Sequence, residues 1–165
     1  MVQNNLKESK AKMGKKSKAS GSAFELRVRK DLEGMGFICD KWSNNVEFKD
    51  FADPKCGHEG PCECSFGKLV QAKPKYLFIN GGMRMVGNNS GFPDFITFKP
   101  GEVGPIVGVE SKMTGELDRA EKEKCKWLLD MGIFDKILIA SKHKIKNRIH
   151  IEYEDFKEKY FRFYK

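Results

Sequence analysis

Gly91-Phe92-Pro93-Asp94-Phe95-Ile96-Thr97-Phe98, then Ile106-Val107-Gly108-Val109-Glu110-Ser111-Lys112 after a short break, decides how this chain is read. The first stretch is a strand from Asp94 to Phe98, with Pro93 at its start, where a missing N–H is tolerated. Lys99-Pro100-Gly101 supplies a turn, and Ile106 to Lys112 forms the second strand of a hairpin. The run Ile106-Val107-Gly108-Val109 is apolar, so that strand belongs in the middle of a sheet, and charges that end a central strand need a purpose.

Side chains alternate between the faces of a strand. Glu110 and Lys112 therefore point to one side and Ser111 to the other, while Asp94 opens the neighbouring strand and can lie opposite. Two carboxylates and an ammonium converge. Paired carboxylates suit a hard divalent cation such as Mg2+ (or Mn2+), which prefers oxygen ligands and keeps several waters. A lysine beside them can orient or deprotonate a water, and can steady the charge developing on a phosphate.

The flanking sequence supplies the rest of an α/β fold with a central mixed sheet. Phe24, Val28, Leu32 and Met35 recur at helical spacing, Ser22 and Glu25 make a capping box, and Gly34 and Gly36 mark the stop. Phe37 to Trp42 is a short strand. Downstream of the hairpin, a helix covers Leu117 to Met131 with Leu117, Ala120, Trp127, Leu128 and Met131 on one face. Lys136 to Ala140 and Arg148 to Tyr153 are strands, and Glu154 to Phe163 is a closing helix. Residues 21–165 thus form one domain, helices flanking the sheet in the order helix, strand, hairpin, helix, strand. Residues 43–91 read as an insertion, including a mobile glycine-rich loop from Gly81 to Gly91.

The net charge of +8 is uneven. Residues 1–20 hold Lys7, Lys10, Lys12, Lys15, Lys16 and Lys18 against Glu8 alone, a balance of +5, which leaves +3 for the remainder. This leader is expected to be a disordered basic tail. Excess positive charge suits nucleic acid, and would equally suit an anionic membrane surface. No stretch approaches the roughly 18 apolar residues of a membrane span. With no apolar secretory signal at the N-terminus, the expected location is the cytoplasm. That compartment argues against disulfides among the five cysteines.

Pro93-Asp94, fifteen intervening residues and Glu110-Ser111-Lys112 resemble the signature of the PD-(D/E)XK nuclease superfamily. The run Gly91-Phe92-Pro93-Asp94-Phe95-Ile96, the apolar approach to Glu110 and the Trp127-Leu128-Leu129 helix are similar to archaeal Holliday-junction resolvases and VRR-NUC-type nucleases. The resemblance implies a restriction-endonuclease-like core in αβββαβ order and metal-dependent hydrolysis of phosphodiester bonds, with DNA as the expected partner. It assigns Asp94, Glu110 and the Ser111 carbonyl to the metal, and Lys112 to the attacking water. Glu25 matches an acidic residue of the first helix in that superfamily; its alternative is a capping role with Ser22 only. Lys124 stands where related nucleases often carry Gln, and either snorkels from the apolar face or touches phosphate. A junction resolvase would need a homodimer, since two strands require two sites. The rival reading is a nucleic-acid-binding module with a nuclease-like fold that does not cut.

Two further groups stand out. Cys56, His58, Cys62 and Cys64 form a cluster that offers either a structural Zn2+ site or free thiols. Lys73, Lys75, Arg84, Lys124, Lys142 and Lys144 are the cations placed to contact phosphates. His143 and His150, without companions at ligand spacing, read as surface residues.

Overall fold

The structure, a computed structural model, describes residues 2–48, 67–73, 75–79, 82–87, 91–101, 104–146 and 148–161. A five-stranded mixed sheet forms the body. Its strands, in spatial order, are β1 (Ile38–Lys41), β6 (Phe95–Phe98), β7 (Val107–Ser111), β8 (Lys136–Ile145) and β9 (Arg148–Asp155). Only the β7–β8 pair is parallel; the others are antiparallel. A parallel pair needs a crossover, and here it is the helix α2 (Arg119–Asp130).

Strand alternation divides the core into two layers. Cys39, Phe95, Val107, Val109 and Ala140 face α1 (Val2–Gly34) and pack on Phe24, Val28 and Leu32. Ile137 and Ile139 face the other way and meet Leu117, Cys125, Trp127 and Leu128 of α2 and its lead-in, with Phe134. Phe156, from the short closing helix α3 (Phe156–Tyr160), completes that layer. Cys39 and Cys125 are buried free thiols.

Three sequence expectations change. The first helix begins at Val2, not at a Ser22 cap after a disordered leader. Its lysines, alanines and glutamate are good helix formers, and Gly14 and Gly21 each cost only about 1 kcal/mol. Because Ser17–Ser20 are exposed and bury no apolar stripe, hydrophobic periodicity could not announce this part of the helix. Second, Met131 caps α2 and is exposed, as is Ala120, so the buried face is narrower than expected. Third, residues 43–91 are not a mere appendage. They contribute β2 (Asn44–Phe48) with β3 (Gly67–Gln71), and β4 (Lys75–Ile79) with β5 (Gly82–Gly87), the last occupying part of the expected mobile glycine-rich loop. Val46 of β2 is buried in the α2 layer, with Leu69 of β3 packed beside it.

No helix among the described residues is long and apolar enough to cross a membrane. The cluster Cys56, His58, Cys62 and Cys64 lies outside the described residues.

Candidate active site

Asp94 immediately precedes β6, and Glu110 is the penultimate residue of β7, so the hairpin register brings them together at one end of the sheet. Both carboxylates are buried, Asp94 at 7% exposure and Glu110 at 6%. The backbone stitches them into one unit. The Asp94 N–H donates to Glu110 Oε2 at 3.2 Å, and the Ser111 N–H donates to Asp94 Oδ2 at 2.9 Å. Behind them, the Trp42 N–H donates to the Asp94 carbonyl at 3.1 Å. Gly91 lies against this junction so closely that an added Cβ would sit 2.0 Å from the Trp42 carbonyl oxygen. Only glycine fits there.

Lys112 leaves β7 just after the pair, its N–H held by the Ala140 carbonyl at 2.9 Å. Its Nζ lies 3.3 Å from Glu110 Oε1 and donates to Glu121 Oε1. Glu121 is the third residue of α2 and closes a capping box. Asp118 accepts from the Glu121 N–H at 2.8 Å, and the Asp118 N–H donates to Glu121 Oε2 at 3.0 Å. The turn that returns the chain to Lys112 passes through Gly115 at φ 73, a left-handed conformation that favours glycine. Three carboxylates and one ammonium thus meet between β7 and α2.

Electrostatics follow from burial. Glu110 is pushed up to about 8, chiefly by burial and then by the Asp94 charge. Asp94 is also raised, by burial first, although the bond from the Ser111 N–H opposes it; the nearby Glu25 charge adds to the rise. Burial works against the Lys112 ammonium. The bond to Glu121 and the charges of Glu110 and Glu121 together outweigh it, and its pKa lies above the ordinary lysine value. Lys112 is therefore a cation at neutral pH. It can donate a hydrogen bond; it cannot accept a proton.

Glu25 is near the pair without joining it. Its Oε2 accepts from Lys41 Nζ at 2.7 Å, and Lys41 lies over the Phe95 ring at 5.3 Å from the centroid. The Ser22–Glu25 capping box is not made, because the helix runs through Ser22. Lys124 is half-buried, donating to Asn45 Oδ1 at 2.9 Å with its ammonium 5.5 Å from the Phe92 ring centroid. It snorkels off the apolar face toward a polar partner. The Ser111 side chain alternates to the face opposite Glu110; its buried Oγ makes no well-formed hydrogen bond, yet it lies close enough to Asp94 to help the Ser111 N–H favour the charged carboxylate.

The remaining cations are dispersed. Lys73 is exposed and lines a groove with Asn45, Glu47 and Lys68 along β2–β3. Lys142 and Lys144 are exposed on the second half of β8, beyond its pairing with β7 and paired there with β9. Lys75 and Arg84 lie in β4 and β5, their side chains outside the described part. His143 is exposed and pairs with Glu152 at 2.9 Å across β8–β9.

Sequence reading missed Glu121, Lys41 and Asn45. Asp118-x-x-Glu121 is a legible capping box, and Lys41 lies two residues from the buried Cys39 on one strand face, so both carried a local signal. Asn45 carried none. Among the described residues, no three His, Cys, Asp or Glu side chains form a metal cage by themselves. No protein-family model, curated protein or solved structure matches the chain, so what the site can do rests on its own geometry.

Proposed function

We propose that this chain is a divalent-metal-dependent nuclease that hydrolyses phosphodiester bonds of DNA, and that its fold is restriction-endonuclease-like. The observation that carries the reading is the buried Asp94–Glu110 pair with the Lys112 ammonium 3.3 Å from Glu110. Two adjacent carboxylates, both raised by burial, are poor anions alone and good ligands for a hard cation that replaces the proton. Magnesium is commonly held by one or two carboxylates and water, so the donor set fits without a third acidic side chain. The order α1, β1, β6, β7, α2, β8, with the acidic pair on the β6–β7 hairpin, supports the fold assignment.

Asp94 and Glu110, with the Ser111 carbonyl, would hold Mg2+ or Mn2+. When bound, the ion supplies Lewis-acid polarisation of the phosphate and a more acidic water. Lys112, kept protonated and anchored by Glu121, donates to the attacking water or to a phosphoryl oxygen as negative charge develops. Asp94 is held in orientation by the Ser111 N–H. Glu25 and Lys41 form an ion pair at the α1 side of the site, where their charges tune Asp94.

The test uses labelled linear duplex, single strand, closed circular duplex and four-way junction, each with and without Mg2+ or Mn2+. Wild type should cut only with metal. Asp94→Ala and Lys112→Ala should lose cleavage while keeping the circular dichroism of the folded protein. Full activity in either variant overturns the assignment. Tight binding with no cutting under either metal would mean a non-catalytic binding module instead.

A further inference from the structure

The β4–β5 ribbon pairs with no other strand among the described residues. Phe78 and Met83 are direct cross-strand partners on it and so share a face. They are also the most exposed large apolar side chains described, at 73% and 71%. An isolated two-stranded ribbon is marginally stable, and an apolar pair in water near its turn does nothing for the core. From Gly67 to Gly91 the chain carries Lys68, Lys73, Lys75 and Arg84 and no acidic residue. Charge complementarity therefore points to a polyanion.

The roots of the ribbon place it beside the site. The Ala72 N–H donates to the Ser43 carbonyl and the Phe92 N–H to the Asn44 carbonyl, both at 2.8 Å. These anchors adjoin Trp42, whose N–H is bonded to the Asp94 carbonyl. Five- and six-residue strands reach roughly 16–20 Å from such roots. A two-stranded ribbon fits a nucleic-acid groove, and apolar side chains such as Phe and Met act as wedges between base steps.

We propose that the β4–β5 ribbon is a nucleic-acid-engaging arm, its basic flanks following phosphates and its Phe78–Met83 pair wedging against bases next to the cleavage site. This rests on the reading of the chain as a nuclease and adds to it the device that holds and distorts the substrate.

The test is made in chelator, without cutting, on a short duplex and a four-way junction carrying a fluorescent adenine analogue that brightens when unstacked. Wild type should bind and brighten the probe. Phe78→Ser/Met83→Ser should retain the folded circular dichroism and thermal midpoint, lose the brightening and bind about tenfold more weakly. Lys73→Ala/Lys75→Ala should instead keep the brightening and reduce the slope of log affinity against log salt by about 2. Unchanged affinity and brightening in the apolar double variant overturns the proposal. So does a wild-type dimer that the apolar variant converts to monomer with nucleic-acid binding intact, which would make the pair a contact between copies. Wild type that binds and brightens but never cuts leaves the arm standing and removes the nuclease reading. Wild type that binds no nucleic acid removes both.

Discussion

Glu110→Gln should stabilise the folded chain in the neutral range, although it removes a proposed metal ligand. The Glu110 carboxyl is pushed from an ordinary 4.5 to about 8, first by burial and then by Asp94. Between those values the folded protein keeps a proton that the unfolded chain has released. Stability contributed by this group is complete below pH 4.5 and is lost progressively as pH rises to about 8. At pH 7 the unfolded carboxyl has been ionised across about 2.5 pH units, which at about 1.4 kcal/mol each amounts to about 3 kcal/mol. Glutamine is neutral in both states and still offers an oxygen to the Asp94 N–H, now bonded to Glu110 Oε2 at 3.2 Å. It escapes the penalty. Urea unfolding in chelator should show the variant about 1.5 M higher in midpoint at pH 7, taking a slope of about 2 kcal/mol per molar urea. The two proteins should nearly coincide at pH 4.5. Millimolar Mg2+ should then raise the wild-type midpoint, more so at higher pH, and leave the variant's unchanged. A midpoint difference independent of pH, or a variant less stable than wild type at pH 7, would refute the argument.

Two other outcomes follow from the same geometry. Glu121→Gln has one acceptor oxygen and so keeps only one of the two bonds, from the Asp118 N–H or from Lys112, whereas Glu121→Ala removes both. The alanine variant should lose about 1 kcal/mol of stability and show the larger fall in kcat at unchanged KM, with glutamine restoring only part of the loss. Equal kcat in both variants and wild type would disprove an anchoring role for Glu121. Gly91→Ala should cost about 3 kcal/mol or more in thermal or urea unfolding, because its Cβ would meet the Trp42 backbone at 2.0 Å and backbone gives way poorly.

The parts of the site carried by one hairpin were legible in the chain. Asp94, Glu110 and Lys112 needed only the period-two alternation and the apolar run ahead of Glu110 to be placed together. The partner of Lys112 was not legible in this way. Asp118-x-x-Glu121 announces a helix cap, but that Glu121 also faces Lys112 depends on the left-handed turn at Gly115. Glu25 could be set on the first helix, yet its ion pair with Lys41 requires β1 to lie beside β6. The early part of α1 was missed because lysine and alanine favour a helix by propensity alone, Ser17–Ser20 are exposed, and periodicity registers burial only.

The insertion shows the same division. Its glycines and polar residues suggested a loop, but Val46 occupies the α2 core layer, a place that exists only once α2 has packed on the sheet. By itself the sequence determined an α/β chain with a mixed sheet, the hairpin at its centre and the convergence of an acidic pair with a lysine. Those features follow from side-chain alternation and helical spacing over a few residues. Tertiary structure alone decided how deeply Asp94 and Glu110 are buried, which partners hold Lys112 and Lys124, and where the β4–β5 ribbon is rooted. Burial, dielectric and long-range pairing arise between elements far apart in the chain, and no local pattern records them.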